Sequence, residues 1–404
     1  MSKVWVLSEA YYPEERATGY LLTQIAERLA QTQDVGVITG PATKGEEVVE
    51  APRHTVRNGV EIHRGPGTDF NRHSLVGRVT NWLTRAVPMV VQATWRVESD
   101  DTVVVVTNPP TLPYLTFLVK WLTGCKIALL VHDMYPEVLP VSGVVNEDSK
   151  LVQVWDRASR LLYEQVDHVI TLGRDMTHLI ADKLNDDASK ITRIPNWAEN
   201  DLIEPEPRSE NAILRERSLT DSFVVLFAGN HGRTHGLEYL ASAAEHFDKL
   251  KEEVHFLFAG YGAKKEWLES YVSSRGLENV TSLGSYPRSE QKTYLNAGDL
   301  AIISLIPGMT GISVPSRLYN HMAAGTPILA VADERTELAL VVQEEEIGWT
   351  VRPENTKKIV DSIRYAKENP DECREKGERA WEVAKKKYTL ENVLSDYKRV
   401  ISSI

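Results

Sequence analysis

The sequence predicts two doubly wound α/β domains, on three observations. Short apolar runs of strand type alternate with helix-period segments along the whole chain, the pattern of parallel sheets with helices on both faces. Several runs stop at glycine or at polar residues, as strands do where they deliver a loop to the carboxyl edge of such a sheet. A polar stretch from Glu199 to Asp221, containing Pro205 and Pro207, divides the series in two and reads as a linker. The domains are therefore expected at residues 1–200 and 201–388, facing each other across a cleft. Residues 389–404 form an amphipathic closing helix expected to pack back toward the first domain.

In the first half, strands are expected at residues 4–8, 35–39, 60–64, 102–107, 126–131, 168–172 and 190–194. Leu21, Leu22, Ile25 and Leu29 follow the first strand as an apolar stripe at helical spacing. In the second half the runs are 223–228, 255–260, 280–283, 300–305, 327–331 and 349–351. Residues 102–119 carry no charge, but Pro109, Pro110 and Pro113 interrupt them, so they read as strand, loop and helix start rather than a membrane span.

The 404 residues hold 46 Lys and Arg against 57 Asp and Glu, a net charge of −11 that argues against a nucleic-acid partner. Cys125 and Cys373 are too few for a disulfide scaffold, and a reducing cytosol is expected. The first residues lack the long apolar core of a signal peptide.

The most informative segment runs from Gly311 to Leu329: a glycine loop, a helix opened by Pro315 and Ser316, a stop at Gly325 and a buried strand. Such a loop turns backbone N–H groups and a helix dipole toward an anion. Arg317 in the first turn opposes that dipole, so a bound anion such as a diphosphate explains its presence. A second loop, Phe227-Ala-Gly-Asn-His-Gly-Arg-Thr-His-Gly236, follows a strand with three glycines and Arg233, which can pair with phosphate oxygens. It is neither a G-x-G-x-x-G fingerprint nor a Walker loop.

In the first domain a strand runs into His132 and Asp133, where catalytic or substrate-binding groups stand in such sheets. A structural histidine beside a helix-capping aspartate is the competing account. Arg16 and Gly19, near the first strand, could close on a diphosphate, though plain loop chemistry also accounts for them. The stretch from Arg72 to Val97 has no acidic residue and carries Arg78, Trp82 and Arg85. It suits contact with anionic lipid headgroups, with core packing as the alternative. No metal site is expected: there is no Asp-x-Asp motif and no His/Cys cluster with zinc spacing.

In this order, Tyr11-Tyr-Pro-Glu14, His132-Asp133, Ile194-Pro-Asn-Trp197, Phe227-Ala-Gly-Asn230, Gly260-Tyr-Gly262, Leu283-Gly-Ser-Tyr-Pro287, Pro315-Ser-Arg-Leu-Tyr319 and Met322-Ala-Ala-Gly-Thr-Pro327 resemble glycosyltransferase family 4 over nearly the whole length. These are retaining nucleotide-sugar enzymes of the GT-B fold. The similarity is greatest to bacterial members that build exopolysaccharide and O-antigen units, some of which transfer N-acetylated amino sugars. The resemblance implies a UDP-linked nucleotide sugar as co-substrate, no metal, and a glycan or lipid-linked acceptor. Cysteine usage and the basic stretch together place the expected enzyme in the cytoplasm, with peripheral contact at the inner membrane face.

The resemblance implies roles as well. Gly19, Gly229, Asn230, Arg233, Ser313, Val314, Pro315, Ser316 and Arg317 would hold the donor diphosphate. Tyr286 and Pro287 would hold the base, and His132, with Asp133, would lie at the catalytic centre. Two departures stand out. The family's pair of glutamates falls at Ile312 and Asn320, and the arginine and lysine of its phosphate turn fall at Asn230 and His235. Asn320 is left to meet a ribose hydroxyl, and main-chain amides of Gly308, Met309, Thr310 and Gly311 to hold the sugar. A nucleotide-sugar 2-epimerase and a catalytically inactive GT-B scaffold are the alternatives.

Overall fold

The computed structural model describes residues 2–45, 47–70 and 75–404. The chain forms two compact units. One comprises Met1–Val138, Glu147–Pro195 and Leu394–Ile404; the other comprises Leu139–Asn146 and Asn196–Val393.

The first unit is built on β1 (Val4–Ser8), β2 (Val35–Thr39), β3 (His54–Arg57), β4 (Val60–Arg64), β5 (Thr102–Val106), β6 (Lys126–Leu130), β7 (His168–Thr171) and β8 (Ile191–Arg193). They lie in one sheet in the order β8-β7-β6-β5-β1-β2-β4-β3. All neighbours run parallel except β3, which is antiparallel to β4. Every residue of β1, β2 and β5 is buried, which is why these strands read as unbroken apolar runs. The β3 edge strand escapes an apolar-run search because its residues are exposed or half-buried. Its signal is the Asn58-Gly59 turn, with φ of 45° and 82°, the dipeptide preferred in tight hairpins.

The second unit holds β9 (Phe223–Asn230), β10 (Val254–Tyr261), β11 (Val280–Leu283), β12 (Leu300–Ser304), β13 (Ile328–Val331) and β14 (Gly348–Val351). These form a six-stranded parallel sheet, β11-β10-β9-β12-β13-β14. The helix Leu237–Leu250 buries Leu237, Leu240, Ala241, Ala244 and Phe247, a 3.6-period stripe, against Phe227, Phe256 and Phe258 of the sheet. Both sheets are Rossmann-like, and the fold class is GT-B.

The stretch from Glu199 to Asp221 is not a free linker. Glu199 and Asn211 are buried, and Arg208 pairs with Asp299 at 2.5 Å while donating to the Leu219 carbonyl at 2.8 Å. Its charges made it look solvated, but Glu199, Glu204 and Arg208 pair within the second unit, while Arg215, Glu216 and Arg217 are exposed. No helix among the described residues is long and apolar enough to cross a membrane.

Candidate active site

The second unit builds its site from the carboxyl ends of β9 and β10. These strands run on through Gly229 and Gly260, which sit opposite each other with φ of 132° and 144°. A Cβ on Gly260 would lie 1.9 Å from the Gly229 carbonyl oxygen, so this close approach requires glycine. A Cβ on Gly229 would meet Arg317 Cζ at 3.1 Å. Glycine therefore makes room for a guanidinium directly over the strand end.

Arg317 opens the helix Arg317–Ala323, and Gly325, at φ 67°, follows that helix as expected. Its guanidinium lies 5.0 Å from the centre of the Phe227 ring, within cation–π range. It makes no ion pair among the described residues, and its Nη1 is buried without a hydrogen-bond partner. Burial lowers its pKa to about 10, so the charge persists at neutral pH.

Three imidazoles line this cation. His231 and His321 are fully buried, and neither ring has a hydrogen-bond partner. Burial, and then the charge of Arg317, pushes His231 down to about 4 and His321 to about 3. The same two causes hold His235 well below its ordinary value. All three are neutral at physiological pH, leaving Arg317 as the charge at the centre of the group. Phe227 and His231 lie in the loop quoted from the sequence, but neither they nor His321 has an assigned role there, since nothing linear shows that they pack around Arg317.

Among the other residues expected at a diphosphate, Asn230 and Arg233 are exposed at the loop surface, and Arg233 makes no ion pair among the described residues. Ser313, Pro315 and Ser316 are half-buried and Val314 is buried. Gly19 is buried in the other unit against Glu14, whose Cγ would lie 2.6 Å from a Cβ there. Glu14 in turn accepts hydrogen bonds from Arg16, Thr43 and the Gly45 amide. Gly19 thus serves loop packing in the structure.

Two expectations for the sugar and ribose need correction. The Gly308 amide donates to Asp333 Oδ2 at 2.8 Å, so it is already committed. The Asn320 amide is engaged at both ends, with one N–H and one lone pair left over: Nδ2 donates to Glu199 Oε1 at 2.9 Å, and Oδ1 accepts from the Glu199 amide at 3.2 Å. Met309 and Ile312 are buried, Thr310 is half-buried, and Gly311 has φ 76°. Tyr286 stacks on Tyr294 at 4.1 Å, and burial raises its pKa to about 12. Pro287 beside it is exposed.

In the first unit, His132 and Asp133 follow β6, and both amides donate to Thr107 Oγ1, at 3.1 and 3.3 Å. That clamp fixes the backbone at the strand end. Burial lowers His132 to about 4, so its ring is neutral, with Nδ1 3.4 Å from Thr18 Oγ1. The surrounding protein raises Asp133 to about 6, although the residue is exposed and water tempers that shift.

The basic stretch also differs from expectation, and Arg72 lies outside the described residues. Arg85 is 3% exposed and pairs with Glu9 and, at 3.2 Å, with Asp69, so it is a core ion pair rather than a membrane contact. Arg78 is half-buried, and Trp82 packs edge-on to Tyr135 at 6.5 Å. The antiparallel β3–β4 pairing also gathers His54, Glu61 and His63, with Glu61 Oε1 3.2 and 2.9 Å from the two Nε2 atoms. Linear spacing hid this cluster; Lys3 already pairs with the second oxygen of Glu61.

Residues 210–383 match the family Glycosyl transferases group 1, and residues 18–197 match the Glycosyl transferase 4-like domain. WbjE of Pseudomonas aeruginosa, described as a probable glycosyltransferase, is 30% identical over 90% of both chains. This chain belongs to the family 4-type glycosyltransferases. The glycosyltransferase is also 27% identical to WcaI of Escherichia coli strain K12, described as a putative colanic acid biosynthesis glycosyl transferase, over 90% of this chain and 92% of that one. HepE of Anabaena, solved with UDP and glucose, superposes with a TM-score of 0.75 at 14% identity over the whole of both chains, a likeness of fold.

Proposed function

We propose that this glycosyltransferase moves a hexose or N-acetylhexosamine from a UDP-linked donor to a lipid-linked or polysaccharide-precursor acceptor, with retention of configuration. One observation carries the reading: Arg317, a guanidinium with a buried, unpaired Nη1, is held over a glycine strand end and ringed by neutral histidines. Such a charge carries a desolvation cost that an arriving anion offsets. A leaving diphosphate is the anion that suits it, because the negative charge that develops as the glycosidic bond breaks is met by a cation already in place. Arg233 and the amides of Ser313, Val314 and Ser316 complete the grip, and no metal is required. WcaI's description supports a polysaccharide role, and HepE, solved with UDP and glucose, supports a UDP donor.

Arg317→Ala tests this. Removing a preorganised donor to developing charge costs roughly 100- to 1,000-fold in kcat, read by product mass with UDP-sugar and acceptor present, in buffer containing EDTA. A folded Arg317→Ala enzyme with turnover within threefold of wild type would sink the diphosphate assignment. Isomerised donor formed without acceptor would point to the epimerase instead.

Peripheral membrane contact is proposed on different residues from those first expected. Val76, Leu83, Val87, Val91 and Trp95 are exposed along the helix Leu75–Arg96. Leu118, Trp121 and Leu122 are exposed on Leu112–Thr123, which packs against it. Trp95 and Trp121 are 83% and 80% exposed. An apolar, tryptophan-bearing face on an acidic protein suits insertion at a lipid headgroup boundary.

A further inference from the structure

Glu199 lies two residues beyond the Ile194-Pro-Asn-Trp197 motif, and its side chain is only 4% exposed. Its Oε1 pairs with Arg288 Nη1 and accepts from Asn320 Nδ2 at 2.9 Å. Its amide donates back to Asn320 Oδ1 at 3.2 Å, so backbone and side chain are locked by one asparagine. Its Oε2 is buried and has no hydrogen-bond partner. A carboxylate offers about four lone-pair sites, and a buried acceptor left empty costs about as much as a lost hydrogen bond. This oxygen is therefore held ready for a donor that arrives from outside the protein.

Position narrows what that donor is. Asn320 stands three residues after Arg317 on the same helix, hence on the same face. Arg288 stands two residues after Tyr286, and the Tyr286 phenol lies within the electrostatic reach of Arg317, Arg288 and Glu199 together. The acceptor thus belongs to the group that joins the cation of the diphosphate to the tyrosine assigned to the base. In a nucleoside diphosphate the unit joining base to phosphate is ribose, and its free hydroxyls are neutral donors. Phosphate is excluded as the occupant, because two anions would face each other.

We propose that Glu199 is the ribose-binding residue of this enzyme, its Oε2 accepting a hydrogen bond from a ribose hydroxyl while Asn320 and Arg288 position it. Asn320 then acts through Glu199 rather than on the ligand. The proposal rests on the nucleotide reading of Arg317 given above.

Calorimetry with UDP, 2′-deoxy-UDP and 3′-deoxy-UDP tests it in wild type, Glu199→Ala, Glu199→Gln and Arg317→Ala. Wild type is expected to bind UDP about 10-fold or more tighter than at least one deoxy analogue, the ratio a hydrogen bond to a charged group sustains. Glu199→Ala should bring that ratio within about twofold, a loss specific to the missing hydroxyl. Glu199→Gln, which keeps the shape and the Asn320 contact, should at least halve it and serves if the alanine variant does not fold. An unchanged ratio in either folded variant, with UDP binding still lost in Arg317→Ala, would overturn the Glu199 assignment and leave the diphosphate reading standing. Absence of UDP binding by wild type would overturn both.

Discussion

Gly229→Ala tests whether the strand end exists to make room for Arg317. Two separate penalties meet there. Gly229 has φ 132°, a region nearly closed to residues with a Cβ, and such strain costs about 1–3 kcal/mol. The new methyl would also lie 3.1 Å from Cζ and 3.2 and 3.3 Å from two guanidinium nitrogens, so Arg317 must shift by a few tenths of an ångström. That shift disturbs its stacking on Phe227 at 5.0 Å. For a unit of this size, 1–3 kcal/mol lowers Tm by about 2–12 °C. Displacing a charge-assisted contact to the donor worth about 1.5–3 kcal/mol raises donor KM about 10- to 150-fold. Gly276→Ala is the control, since φ is 62° but nothing lies within 4 Å of the new methyl. It should lower Tm slightly and leave donor KM unchanged. Scanning calorimetry and donor-saturation kinetics read both effects. Equal donor KM in the two variants would refute the argument that the glycine serves Arg317.

The buried histidines make stability depend on pH. His231 and His321 have folded pKa values of about 4 and about 3, below the ordinary 6.5, so the unfolded chain takes up protons before the folded one does. Their stabilisation is complete above about pH 6.5 and falls with pH toward those lower values, by up to about 1.4 kcal/mol per unit for each histidine. Urea midpoints at pH 7.5 and 5.0 should differ, and the difference should shrink in His321→Gln; an identical difference would show that this ring does not titrate as argued. For the membrane face, Trp95→Ser with Trp121→Ser should reduce co-sedimentation with anionic vesicles severalfold, whereas Arg85→Gln should act on stability. Undiminished sedimentation of the double variant would reject that face.

The α/β class, most strands and the two glycine loops were legible because their signals are local. Buried parallel strands must be continuously apolar, and loops that approach a phosphate need glycine at particular φ values. The segment from Gly311 to Leu329 shows this well: its helix start, its glycine stop and its following strand all appear where residue types alone put them. The Asn58-Gly59 hairpin was equally local but passed unread, because the strand before it has no buried face to announce it.

Contacts between residues far apart in sequence were decided only by the tertiary structure. Arg85 looked like a basic surface residue until Glu9, 76 positions away, was found beside it. Asn320 looked like a ligand group until Glu199, 121 positions away, claimed both ends of its amide. The sequence by itself determined that this chain places an arginine at 317, at the start of a helix behind a glycine loop, on a Rossmann-like scaffold. Which partners surround that cation, which of its neighbours are neutral and which carboxylate oxygen is left open depend on burial and on long-range pairing. A side chain's charge and hydrogen-bonding capacity are spent on whatever the fold brings within reach, and no linear pattern records that.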